Sequence, residues 1–158
     1  YVRADRRLDM DKLLAAFQQF YREDADVWLD STAYVEAGPQ LLMQAFLQRV
    51  VNGGGRIARE YALGRKRTDL LVEWPLDEAQ GLHGPVQRIV IELKLLRAGS
   101  RDALIAQALP QAAEYADRVG ADETHLVVFD RTGRTTWDER ISHTTKTADG
   151  RTIGVWGT

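Results

Sequence analysis

The stretch RIVIELKLLR, residues 88–97, decides the fold. Six of its ten residues are Ile, Val or Leu, which marks a strand near the middle of a sheet. Glu92 and Lys94 interrupt it two residues apart, so on a strand they share one face. Charged side chains are seldom buried unless they are paired or used. Two readings follow. One is a salt bridge on the solvent face of an edge strand. The other is an acid and a base held together at a site.

The flanking sequence sets the strand in context. Upstream, RIAREYAL (56–63) alternates and RTDLLVEW (67–74) follows the turn GRK, so two more strands precede the loop PLDEAQGLHGP (75–85). The strand itself is expected over 86–96. Downstream, SRDALIAQALPQAAEYADRV (100–119) reads as a helix with Ser100 as N-cap, Gly120 beyond its end and a kink at Pro110. HLVVFDR (125–131) is a fourth, apolar strand, and TIGVWGT (152–158) suits a last one. Two helices come first. Residues 9–24 place Leu13, Leu14, Phe17 and Tyr21 at helical spacing with Asp9 or Asp11 as N-cap; PQLLMQAFLQRVV begins on Pro39 and stops at the Asn52–Gly55 run. The order is helix, three strands, helix, strand, which predicts an α/β fold with a central mixed sheet flanked by helices.

Composition excludes much. The 158 residues contain no Cys, so disulfides, thiol chemistry and Cys-type zinc sites are ruled out. His83, His125 and His143 are far apart and show no ligand spacing. A net charge of −2 gives no bulk basic signal, so any nucleic-acid surface must be local. No membrane span or signal-peptide pattern is visible, and a cytoplasmic protein is expected. The chain opens on Tyr1 rather than Met, as expected of a piece of a longer protein.

Asp69 lies early in the second strand. If strands two and three pair, it can face Glu92. Carboxylates about 4 Å apart repel by about 4 kcal/mol at an effective dielectric near 20, and a divalent cation removes the conflict. Oxygen ligands with retained waters suit Mg²⁺, and Mn²⁺ substitutes. Lys94 would then stand beside the water or the phosphate.

RTDLLVEWP followed by RIVIELKLL resembles the PD-(D/E)XK nuclease superfamily, whose restriction-endonuclease-like core has the order αβββαβ. Asp69 matches its Asp, and Glu92 with Lys94 its (D/E)-x-K; Thr68 stands where the family usually has Pro. Gln111 and Tyr115 in QAAEY are similar to the Q-x-x-x-Y motif of the RecB-like branch, and Gln107 lies one turn earlier. On the residues alone, a helix face packed on the sheet with Tyr115 as a core aromatic is the favoured reading. The resemblance implies catalytic roles for Asp69, Glu92, Lys94, Gln111 and Tyr115, with metal held by Asp69, Glu92 and Glu36. Glu36 also reads as a first-turn acid complementing a helix dipole, and Glu60 is a lesser candidate for its role. Arg65, Lys66 and Arg67, the densest basic cluster, are candidate phosphate contacts; a solvated turn is the alternative.

A wider resemblance, in EAGPQLLMQAFLQRVVNGGGRIAREYALGRKRTDLLVEWP, HLVVFDR and VWGT, is to the C-terminal nuclease-like region of bacterial proteins with an upstream AAA-type ATPase domain. It implies a helical connector over 1–35, a nuclease-like domain over 36–158, DNA as substrate and the ATPase domain as partner; a homodimer is compatible with it. The rival expectation is a catalytically silent module of the same fold that binds nucleic acid or docks on an ATPase.

Overall fold

A computed structural model describes residues 1–29, 38–60 and 68–158. The elements are α1 (Met10–Leu29), α2 (Gly38–Val51), β1 (Arg56–Glu60), β2 (Thr68–Pro75), β3 (Val86–Leu96), α3 (Arg101–Val119), β4 (Glu123–Asp130), α4 (Trp137–Arg140), β5 (Ser142–Ala148) and β6 (Arg151–Gly157). They build one six-stranded mixed sheet in the order β1-β2-β3-β4-β6-β5. β1, β2 and β3 form an antiparallel meander, β4 and β6 then run parallel to β3, and β5 closes the edge antiparallel to β6. The expected order of helix, three strands, helix and strand is present.

Alternation along β3 divides the sheet into two faces. Ile89, Ile91 and Leu93 point to one side and join Leu13, Leu14, Phe17 and Tyr21 of α1, Met43 and Leu47 of α2, and Phe129 of β4 in a single core. The stretch read as a connector from sequence therefore contributes a helix to the core of the sheet. Asp9 starts that helix: its side chain accepts from the Lys12 amide at 3.2 Å and its carbonyl from the Leu13 amide at 3.0 Å. At the far end of α2, Gly55 permits a close approach. A Cβ there would stand 2.6 Å from Val51 Cγ1 and 2.8 Å from the Glu73 carbonyl, so no larger residue fits the step from α2 to the sheet.

The other face belongs to α3. Ser100 caps it by accepting from the Ala103 amide at 3.2 Å, and Gly120 ends it at φ 64°. The helix is unbroken through Pro110, which lies on its exposed side. Its inner face is made of Ala108, Ala112, Ala113 and Ala116, so the helix sits close on β3 and β4.

Two elements in the tail were not expected. β5 carries SHTTKTA, almost wholly exposed, and gives no hydrophobic pattern. Its signal is the Asp149–Gly150 turn, with φ of 50° and 76°, which suits a two-residue hairpin between β5 and β6. α4 is announced by a capping box: Thr136 accepts from the Glu139 amide and the Glu139 carboxylate accepts from the Thr136 amide.

Candidate active site

The even positions of β3 face α3. Val90 packs against Tyr115 and Ala116, and Leu96 against Ile105 and Ala108. Glu92 and Lys94 lie between those two contacts on the same side of the strand, beneath the middle turns of α3. Register supplies the third member of the site. Asp69 of β2 pairs directly with Glu92, and Glu60 of β1 pairs with Asp69, so three acidic residues occupy one row across three strands. Directly paired positions of antiparallel strands lie about 4.5–5.5 Å apart.

The electrostatics of Glu92 are unusual. Its side chain is fully buried, at 0% exposure, and among the described residues no hydrogen-bond donor serves either carboxylate oxygen. Lys94 Nζ stands 2.7 Å from Glu92 Oε1 as an ion pair. Lys94 keeps 18% of its side chain exposed, while the Glu92 side chain is wholly buried. Leaving a buried acceptor unsatisfied costs about 1–3 kcal/mol, and more when it is charged. A stable core would not choose this arrangement. A carboxylate with unclaimed lone pairs fits a cation.

The chemistry of the set suits a hard divalent ion: oxygen donors, no thiolate and no imidazole. Among the described residues no three His, Asp or Glu side chains come together as a metal-binding group. The side chains of Asp69 and Glu60 are not among those described. Glu36, Arg65, Lys66 and Arg67 also lie outside the described residues.

On α3, Tyr115 is buried at 2% exposure and packs on Val90, with the Arg118 guanidinium 5.6 Å from its ring centroid. Gln111 is half-buried one turn earlier, and Gln107 is exposed a turn before that. The row Gln107, Gln111 and Tyr115 thus descends from the surface to the sheet.

A second buried polar cluster occupies the opposite face. His125 Nδ1 accepts from the Trp156 indole N–H at 3.2 Å, so in the neutral ring Nε2 carries the proton and points to Glu123 Oε2 at 3.5 Å. Gln87 donates to Glu123 at 2.8 Å and accepts from the Leu8 amide at 2.7 Å. Burial pushes the Glu123 carboxyl up, but contacts with His125 and Gln87 outweigh it and hold it below its ordinary value. The cluster ties the N-terminal segment to the sheet and is separated from Glu92 by the sheet itself.

Asp130, at the end of β4, was missed from sequence as a fixed point of the site's rim. It accepts from the Thr132 amide at 2.9 Å, the Thr132 hydroxyl at 2.6 Å and the Thr135 hydroxyl at 2.7 Å. Burial raises its carboxyl, yet these bonds and the nearby Arg140 charge leave it below the usual range. The D-x-T spacing is its only sequence signal.

No protein-family model matches the chain, and no curated protein matches it. Among the described residues no helix is long and apolar enough to cross a membrane.

Proposed function

We propose that this chain is a Mg²⁺-dependent nuclease that hydrolyses phosphodiester bonds in DNA, acting as one domain of a protein that also carries an AAA-type ATPase domain. The observation that supports it best is Glu92: a fully buried carboxylate without hydrogen bonds among the described residues, in register with Asp69, with Lys94 2.7 Å away. A module that only binds nucleic acid gains nothing from acids placed where phosphate must come.

Asp69 and Glu92 would hold the ion, with Mn²⁺ able to replace Mg²⁺. A bound divalent ion supplies neutralisation of phosphate charge and an acidified water. Lys94 would stand beside the nucleophilic water. From there its ammonium orients that water or balances the charge developing on the phosphate. Tyr115 packs α3 against Val90 of β3, and Gln111, half-buried one turn earlier, would offer its amide to a phosphate. Arg65, Lys66 and Arg67 come directly before β2 in the sequence, and in this reading their side chains would meet neighbouring phosphates. The test is metal-dependent hydrolysis of DNA by the chain, with its loss in Lys94→Ala as the expected result; cleavage by that variant at the unaltered rate overturns the assignment.

A further inference from the structure

β5 is the outermost strand on its side of the sheet, and its side chains from His143 to Thr147 are exposed on both faces. Such an edge is a template for a further strand, because alternate residues aim their amides and carbonyls away from the sheet. Two observations fix which residues these are. Ala148 and Arg151 flank the two-residue Asp149–Gly150 turn, and the pair that closes such a turn exchanges both hydrogen bonds. On the other side of β6, the Thr158 amide donates to the Val128 carbonyl at 2.9 Å, and the Thr158 carbonyl accepts from the Asp130 amide at 2.8 Å. Thr158 therefore faces β4, and by alternation Arg151, Ile153, Val155 and Gly157 face β5. Both routes agree: Ser142, Thr144, Lys146 and Ala148 bond to β6, and the amides and carbonyls of His143, Thr145 and Thr147 point outward. Among the described residues no strand or hydrogen bond occupies that outer edge.

The edge is held in place and little defended. The His143 ring stacks on Trp156 with centroids 3.6 Å apart and planes 9° apart, and the Ser142 hydroxyl accepts from Arg101 at 2.6 Å. Sheet edges are commonly blunted by Pro, by bulges or by Lys. β5 contains no Pro, and its register with β6 runs without a bulge from Ser142 to Ala148. Lys146 is the one such device it carries.

We propose that β5 pairs antiparallel with β5 of a second copy of this chain, about a two-fold axis through Thr145, and joins two sheets into one. That axis sets Thr145 opposite its own counterpart, His143 opposite Thr147, and Thr144 opposite Lys146. Every outward amide and carbonyl then finds a partner. Threonines directly opposite each other are a favourable cross-strand pair, and each Lys146 meets a neutral Thr144. Moving the axis to Lys146 would set two ammonium groups against each other. Moving it to Thr144 would leave Thr147 beyond the end of the facing strand. The strand thus matches itself in one register, which is what makes a second copy the occupant. The pairing uses no residue of the Glu92 site, which lies across β4 and β6, so it stands or falls apart from the nuclease reading.

Sedimentation equilibrium over a concentration series reads the association. An edge contact of this kind falls below about 1,200 Å², the range of weak complexes, so the average mass should climb toward the dimer as the chain approaches about 0.5 mM. Thr145→Pro removes an outward amide and no bond to β6, so it should keep the chain monomeric with an unchanged circular dichroism spectrum. Thr145→Lys, which sets like charges opposite each other, should do the same. Because the chain has no Cys, Thr145→Cys gives a single thiol. Hydrogen-bonded partners have Cα atoms about 5.5 Å apart, within disulfide reach, so mild oxidation should convert this variant to a covalent dimer. In Thr147→Cys the two positions stand roughly 13 Å apart or more, so it should cross-link about tenfold less. A mass that stays monomeric across the series, or that grows past the dimer, overturns the proposal. So does a dimer that survives both Thr145→Pro and Thr145→Lys, and so does equal cross-linking from positions 145 and 147.

Discussion

Glu92→Gln offers a test in which stability and function pull in opposite directions. The side chain keeps its shape and loses its charge. Among the described residues both carboxylate oxygens are buried without hydrogen bonds, and the ion-pair partner is the partly exposed Lys94. Burying an unsatisfied polar atom costs about 1–3 kcal/mol. An amide is cheaper to bury than a carboxylate, so in EDTA the variant should be more stable by about 1–2 kcal/mol. For a chain of this size, each kcal/mol moves the melting temperature by about 2–4 °C, so the rise should be roughly 2–8 °C. Metal reverses the ranking. With Mn²⁺ at about 100 times its dissociation constant, the unaltered chain should gain about 2.7 kcal/mol, and the variant far less. Thermal melts followed by circular dichroism, in EDTA and over a Mn²⁺ series, read both effects. A variant less stable than the unaltered protein in EDTA would show that Glu92 is a structural ion-pair partner. A Mn²⁺ shift equal in the two proteins would move the ion elsewhere.

Phe17→Ala tests the place of α1. Its ring is 1% exposed and meets Phe46 and Phe129 at centroid distances of 5.4 and 6.1 Å, so truncation should cost about 3–5 kcal/mol by denaturant titration; a loss below about 1 kcal/mol would mean that α1 is an appendage. Asp130→Asn tests the rim through pH. A carboxyl held below its unfolded value, near 3.9, contributes stability that is fully present above that pH and is lost as pH falls through the folded value. The unaltered chain should therefore lose more stability than the variant as pH drops below about 4, and parallel acid-unfolding curves would contradict the bonding described for Asp130.

Much of this was legible in sequence because the deciding signals are local. β3 was expected over 86–96 and is found at Val86–Leu96, since an apolar run bounded by Pro85 and the Arg97–Ser100 segment leaves little choice. α3 was set by Ser100 and Gly120. β5 was not legible, because its side chains are exposed and its identity as a strand comes from pairing with β6, which is a non-local fact. The site divides in the same way. Glu92 and Lys94 announce themselves by spacing, and the match of Asp69 to Glu92 follows from the strand register. That Glu92 would be buried without donors could not be read. It depends on four alanines of α3 bringing the helix down over the strand, a matter of packing. The Asp130 cluster lies within residues 130–135, yet only the D-x-T spacing signals it in sequence.

The most direct measurement of the central claim is hydrolysis itself. The chain is incubated with supercoiled, linear duplex and single-stranded DNA in Mg²⁺, Mn²⁺ or EDTA, beside Lys94→Ala, with products resolved under single-turnover conditions. In the proposed mechanism Lys94 acts on the water or the transition state rather than on the ion, so its loss should slow cleavage by about 10²-fold or more while the Mn²⁺-induced rise in melting temperature persists. Cleavage that needs the metal and falls in this way is the predicted result. Cleavage by Lys94→Ala at the unaltered rate, or no metal-dependent cleavage of any of these DNAs by the unaltered chain, would contradict it.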